Sequence, residues 1–188
     1  MKKILIAIIT LFLVVGVVGC NNNTADTPTK RVESFLGKYQ ENHQDVLNQL
    51  DDVIDTAGTM TMDHKNDYRS LMQRQYKGLT YKIIDETREG NSATVEVEIE
   101  VYDYATSIRE SEAYLISNKD EFMKNRVEGE DMFEEVDNDK FMTHKINQLK
   151  DVTNRVKHTV IFTLTKDGDT WKINDISDTD RQKIHGLY

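Results

Sequence analysis

Cysteine and proline are nearly missing from this chain of 188 residues, which has one of each, Cys20 and Pro28. A single cysteine excludes an intramolecular disulfide framework and a cysteine-rich metal site. A single proline excludes a proline-rich stalk. The nine glycines are dispersed and form no glycine-rich phosphate loop. We therefore expect a domain that is stabilised by an ordinary apolar core.

Positive charge is also scarce, since 24 Lys and Arg residues face 33 Asp and Glu residues, for a formal net charge of −9. An acidic chain is a poor partner for nucleic acid or for an anionic lipid surface, because both repel it. The composition therefore predicts an acidic extramembrane domain with no nucleic-acid partner.

One long apolar run is present, at residues 4–18, directly after Lys2 and Lys3. As a helix it would measure about 22 Å, at about 1.5 Å per residue. The hydrocarbon core of a bilayer is thicker, roughly 30 Å. The run therefore favours the apolar region of a secretory signal peptide over a membrane-spanning helix.

The end of this run, Val17-Val18-Gly19-Cys20, resembles the lipobox of bacterial lipoprotein signal peptides. The resemblance implies cleavage between Gly19 and Cys20 and a diacylglycerol on the Cys20 thiol, which would anchor the chain on the extracytoplasmic face of the cell membrane. The alternatives are an ordinary signal peptide and a stray apolar N-terminus. Residues 1–19 are thus expected to be the signal peptide and residues 20–27 a flexible tether.

The first part of the mature chain has the spacing of helices. Thr27 and Pro28 fit the N-cap and the first helical position. Apolar residues then recur at helical intervals and predict one long helix that ends near Gly58. A second helix is predicted from a cap at Asp63 to Gly78.

Two stretches have the alternation of antiparallel hairpins. Strands are predicted at 80–86 and 93–102 around a turn at 89–91. A second hairpin is predicted from the alternation that starts at Val156 and continues past the Asp167-Gly168 turn.

Helical spacing returns between the hairpins, at residues 106–127 and 140–153, on either side of an acidic break. The end of the chain, residues 179–188, is expected to be a loosely held tail.

This order predicts an α+β domain at residues 28–178, with an antiparallel sheet packed on one face by long N-terminal helices and a helical insertion at about 106–154. The layout, with its YKIIDETREGNSATVEVEIEVYDY and HTVIFTLTKDGDTWKINDIS hairpins, resembles the NTF2-like or cystatin-like cone of exported bacterial lipoproteins. The resemblance implies a pocket between sheet and helices, in which related enzymes carry an Asp or His base.

No residue is assigned a catalytic role, and no cofactor or metal ligand set is predicted. The acidic clusters near residues 131–139 and 175–180 lack the glycine and terminal glutamate of a calcium-binding loop. On the pocket interpretation His43 and His158 supply the polar groups, whereas on the alternative both are core or rim histidines with hydrogen-bonded partners. The candidate pocket residues are Tyr39, His43, Tyr81, His158 and Trp171.

Two classes of function follow. The first is a non-enzymatic, membrane-anchored module that binds a protein, peptide or small ligand through the insertion, and it includes a lipoprotein that acts by blocking a surface partner. The second is a small-molecule-binding or enzymatic pocket protein that uses His43 or His158. The acidic run 128–139 is interpreted as a solvated break, with a docking edge for a basic partner or a loose calcium site as the alternatives.

Overall fold

A computed structural model describes residues 26–58, 60–124 and 136–188. A short 3-10 helix at Lys119–Phe122 accompanies six α-helices and four strands in these ranges. The elements in chain order are α1 Pro28–Gln40, α2 Gln44–Thr56, α3 Met62–Gly78, β1 Thr80–Glu89, β2 Ser92–Tyr102, α4 Tyr104–Ser117, α5 Asn138–Asp151, β3 Arg155–Asp167, β4 Thr170–Ile173 and α6 Asp178–His185.

The four strands form one antiparallel sheet in the order β1-β2-β3-β4. Helices α1, α3 and α6 pack against the sheet, whereas α4 and α5 pack on each other and on α3. Both hairpins lie where the alternation places them, and the helical segment lies between them. The predicted α+β class is confirmed.

Strand β2 shows why the sheet has one buried face. Val95, Val97, Ile99 and Val101 are fully buried, and the residues between them are partly exposed. On the open face, Lys157 Nζ lies 2.8 Å from Glu98 Oε1, an exposed pair that contributes little stability. Burial of the aliphatic face is therefore the main contribution of this strand.

The prediction of one long first helix is wrong, because the chain turns between α1 and α2. Asn42 has a φ of +50°, a left-handed conformation that asparagine tolerates better than most residues. Its side-chain amide donates to the carbonyl of Gln73. His43 then begins a new helix as its N-cap.

Two helix boundaries also differ from the prediction. The cap of α3 is Thr61, whose hydroxyl accepts the His64 N–H, and Asp63 lies inside the first turn. Helix α4 ends at Ser117 instead of continuing to residue 127, because Asn118 leaves the helical conformation. The predicted acidic break lies mostly in residues 125–135, outside the described ranges.

The tail predicted to be loose is instead helix α6. The Ser177 hydroxyl accepts the Asp180 N–H at its start, and Gly186 ends it with a φ of +69°. Ile184 is buried in the main core, which holds the helix against the sheet.

The last two residues of the predicted tether are also held. Asp26 Oδ2 accepts the backbone N–H of Trp171 at 2.6 Å, and its Oδ1 pairs with Arg31 at 2.6 Å. Thr27 caps α1, as predicted. Glu86 of β1 accepts both the N–H and the hydroxyl of Thr29, so a strand carboxylate satisfies the start of the helix.

A buried aromatic cluster joins α6 to α1 and α3. The Tyr76 hydroxyl lies 3.0 Å from His185 Nδ1, and the Tyr39 ring packs edge-on against Tyr76. Burial raises the pKa of Tyr39 to about 12. Burial, aided by the charge of Arg181, lowers the pKa of His185 to about 4. His185 is therefore neutral at pH 7, and its Nδ1 can accept a hydrogen bond from the Tyr76 hydroxyl.

Two glycines allow the packing of α6 to be tested. Gly186 and Gly90 both have positive φ, but a Cβ at Gly186 would overlap Gln75 Nε2 and the Tyr102 carbonyl oxygen, while Gly90 has open space around it. Gly90→Ala should cost about 1 kcal/mol of strain alone. Gly186→Ala should cost more than about 3 kcal/mol, because strain and overlap add. Urea unfolding checks this, and equal losses would contradict the packing of Gly186.

His185 should make stability depend on pH. Its folded pKa is about 4, below the usual value of about 6.5, so the unfolded chain binds the proton first and stability falls as pH drops below about 6.5. Between pH 6.5 and 5.5 the wild type should lose about 1 kcal/mol more than His185→Gln. Urea unfolding at both pH values measures the difference, in which the other titrating groups cancel. Parallel losses in the two proteins would show that His185 is not held neutral.

Candidate functional site

His43 is the N-cap of α2. Its Nδ1 accepts the Asp45 N–H at 3.2 Å, and 44% of its side chain is exposed. The break at Asn42 turns His43 away from the apolar face that a continuous helix would have given it. Its position is explained by capping.

His158 lies on the helix-covered face of the sheet, in a row with Tyr81 and Ile99. Tyr81 pairs with Ile99, and Ile99 pairs with His158. The ring of His158 meets Tyr188 edge-on at 5.5 Å, and its Nε2 is buried with no hydrogen-bond partner. Burial, followed by the charge of Lys183, lowers the pKa of His158.

Tyr39 and Trp171 are core residues, 4% and 5% exposed. No ring contact or hydrogen bond joins any two of the five candidate pocket residues, all of which are described. The histidine that packs against Tyr39 is His185, which sequence reasoning placed in the tail. The cap at Ser177 and the glycine at 186 were the signals that could have revealed it.

The helical insertion, residues 104–153, packs apart from the main core. None of its described residues belongs to the main core cluster. It shares a second, smaller cluster with α3, formed by Leu71, Tyr104, Ile146 and Leu149. The insertion is therefore a separate layer that is fixed to the domain through α3.

Tyr102 and two arginines fix the root of the insertion. The Arg74 and Arg155 guanidinium groups lie 4.3 and 4.9 Å from the centre of the Tyr102 ring. Arg74 also donates to the carbonyls of Lys150 and Val152, which satisfies the end of α5. Cation–π contacts and capping together hold both ends of the insertion against the sheet.

The far end of the insertion carries an aromatic cluster, which we call the insertion cluster: Tyr114, Phe122, Phe141 and His144. The Tyr114 and His144 rings stack at 4.8 Å, and Phe122 meets Tyr114, His144 and Phe141 edge-on. Tyr114 is 38% exposed, and Ile116 nearby in α4 is 79% exposed. Aromatic residues that are partly exposed on a stable support are typical of protein-binding surfaces.

Three polar side chains, those of His64, Thr143 and Asp139, meet between α3 and α5. His64 Nε2 is 2.9 Å from Thr143 Oγ1, and His64 Nδ1 is 3.6 Å from Asp139 Oδ1. The order carboxylate, imidazole and hydroxyl is that of a nucleophile triad. The sequence analysis assigned no role to His64 and so missed this contact. The spacing of Asp139 and Thr143, four residues apart on one helix face, was the available signal.

This group does not form a working triad. The Asp139 contact is longer than a hydrogen bond, and the Thr143 hydroxyl donates to the Asp139 carbonyl at 3.0 Å. Thr143 also lies within α5, where helical bonds occupy the backbone N–H groups that an oxyanion would need. The three residues therefore serve as a polar contact that joins the insertion to α3.

Within the three described ranges, no three His, Cys, Asp or Glu side chains gather as a metal-binding group. None of the helices in those ranges combines the length and apolar character that crossing a bilayer requires. The predicted lipidation and cleavage residues, Gly19 and Cys20, lie outside the described residues. Comparison of the chain with models of protein families, with curated proteins and with solved structures finds no match in any of the three.

Proposed function

We propose that the chain is an extracytoplasmic lipoprotein, anchored in the cell membrane through a diacylglycerol on Cys20, that binds a protein partner without catalysis. The Val17–Cys20 sequence supports the anchor. The insertion, with its exposed Tyr114 and Ile116, is the recognition surface in this proposal.

The observation that carries the proposal is the position of the insertion relative to the start of the domain. Asp26 is bound to β4 beside the β3–β4 turn, whereas α4 and α5 begin and end beside Tyr102 and Arg155, at the opposite ends of β2 and β3. A tether at Asp26 would thus hold one end of the sheet and leave the insertion at the other. The alternative with His43 and His158 in one pocket has no comparable support, because His43 caps a helix.

Removal of the Cys20 thiol should abolish anchoring. Cys20→Ala should leave an uncleaved, unlipidated precursor, because the thiol is the acyl acceptor. Asn21→Ala, one residue further on, should be processed like the wild type. Mass spectrometry of the membrane fraction measures both. A mature N-terminus other than residue 20, or an unmodified Cys20, would contradict the anchor.

Removal of the insertion should leave the sheet folded. The Asp103 N–H donates to the Asn154 carbonyl at 3.0 Å, so two glycines can join these residues in place of 104–153. The main core loses none of its described members, and the deletion variant should unfold cooperatively in urea. A variant that lacks cooperative unfolding would show that the insertion is part of the main fold.

The insertion should also contact the partner in cells. A photo-crosslinking residue at Ser117, exposed in α4 and three residues after Tyr114 on the same helix face, should give one discrete protein adduct that a second substitution, Tyr114→Ala, removes. The matched control is the same residue at Ile161, 53% exposed on the open face of the sheet. An adduct that forms at position 161 alone, or that survives Tyr114→Ala, would assign recognition to another surface.

A further inference from the structure

The molecule has a charge-balanced end, which we call the lower end: residues 26–31, 86–92 and 166–172. Both hairpin turns and the start of α1 belong to it. Hydrogen bonds join its parts, from Lys166 N–H to the Asn91 carbonyl and from Thr29 to Glu86. The upper end is the region around Tyr102 and residues 153–155, where the insertion begins and ends.

We propose that the lower end is a bilayer-facing surface on which the anchored domain stands upright, with the upper end and the insertion directed away from the lipid. The proposal rests on the Cys20 anchor of the preceding section. Three features of the molecule lead to it: the length of the tether, the length of the sheet and the distribution of charge.

The tether is short because the domain already holds Asp26. Asp26 is bound to Trp171 and Arg31, so only five residues, 21–25, separate it from Cys20. The six Cα–Cα steps from Cys20 to Asp26 reach about 20 Å when fully extended. As a flexible coil they span about 13 Å on average. The lower end therefore stays close to the headgroups.

The sheet is longer than the tether. Strand β2 has 11 residues, from Ser92 at the lower end to Tyr102 at the upper end. At about 3.4 Å per residue this separates the two ends by roughly 34 Å. An upright domain would therefore hold its upper end beyond the reach of the tether.

The distribution of charge favours the upright orientation over one in which the side of the domain rests on the lipid. The lower end has five acidic and five basic residues, and three of the acids are paired: Asp26 with Arg31, Glu86 with Arg88, and Asp167 with Lys172. The negative excess of the chain, which has 33 acidic and 24 basic residues, therefore lies outside the lower end. Anionic lipids repel an acidic surface within about 10 Å but do not repel a balanced one.

The experiment uses the lipidated full chain, in which an introduced cysteine is the one free thiol because Cys20 is acylated. Asn91→Cys and Thr153→Cys place a fluorophore on an exposed turn at the lower end and an exposed loop at the upper end. Each labelled protein is bound to vesicles of phosphatidylethanolamine and phosphatidylglycerol that carry a headgroup nitroxide quencher. Quenching at position 91 should be several-fold stronger than at position 153. The same proteins without residues 1–25 should show no quenching at either position.

Equal quenching at the two positions, or stronger quenching at position 153, in a protein that mass spectrometry shows to be lipidated would overturn the orientation and leave the anchor intact. An unmodified Cys20 in a protein that does not float with vesicles would overturn both. The two failures are thus distinguishable.

Discussion

The buried amide of Gln75 joins the parts of this molecule. Its Oε1 accepts the N–H of Tyr102 at 2.9 Å, and its Nε2 donates to the Tyr102 carbonyl at 3.1 Å. A side chain of α3 thus satisfies both backbone groups at the end of β2, as a neighbouring strand would. An unpaired backbone group at this depth would cost about 1–3 kcal/mol. Gly186 lies against the same amide, and its carbonyl accepts the Ala105 N–H, so α6 and the start of α4 depend on Gln75 as well.

The strands could be predicted from the sequence because the alternation of neighbouring residues itself specifies which side chains are buried. Along β2 every second residue is aliphatic, and the residues between them are polar, so one pattern specifies both strand and buried face. The helix break at Asn42 could not be read in this way. Apolar residues continue at helical spacing across it, because both α1 and α2 bury a face in the same core. Local backbone hydrogen bonds from Asn42 to Tyr39 and from His43 to Lys38 form the turn, and a tertiary contact of the Asn42 amide with Gln73 adds to them.

The same break explains why His43 does not lie on the apolar face on which the sequence placed it. The predicted position of His43 depended on one continuous helix, and its true position depends on the cap of the next one. His158 was assigned the correct face, since β3 follows simple alternation. The histidine beside Tyr39 comes from α6, where Ile184 is the one fully buried side chain among eight mainly polar residues. Hydrophobic spacing is uninformative in such a short polar helix, and its capping residues are the better signal.

His185 and His64 show how polar side chains are paired where helices pack together. His185 is satisfied by Tyr76 and can be neutral without loss. His64 bonds Thr143 through one nitrogen and leaves the other without a partner near Asp139. Each of these contacts joins a helix to its neighbour, and none has a free backbone donor and a hydroxyl beside a base. The described polar contacts therefore join helices to one another, and in the function proposed above the partner is bound at the surface, where the insertion offers aromatic rings on its own small core.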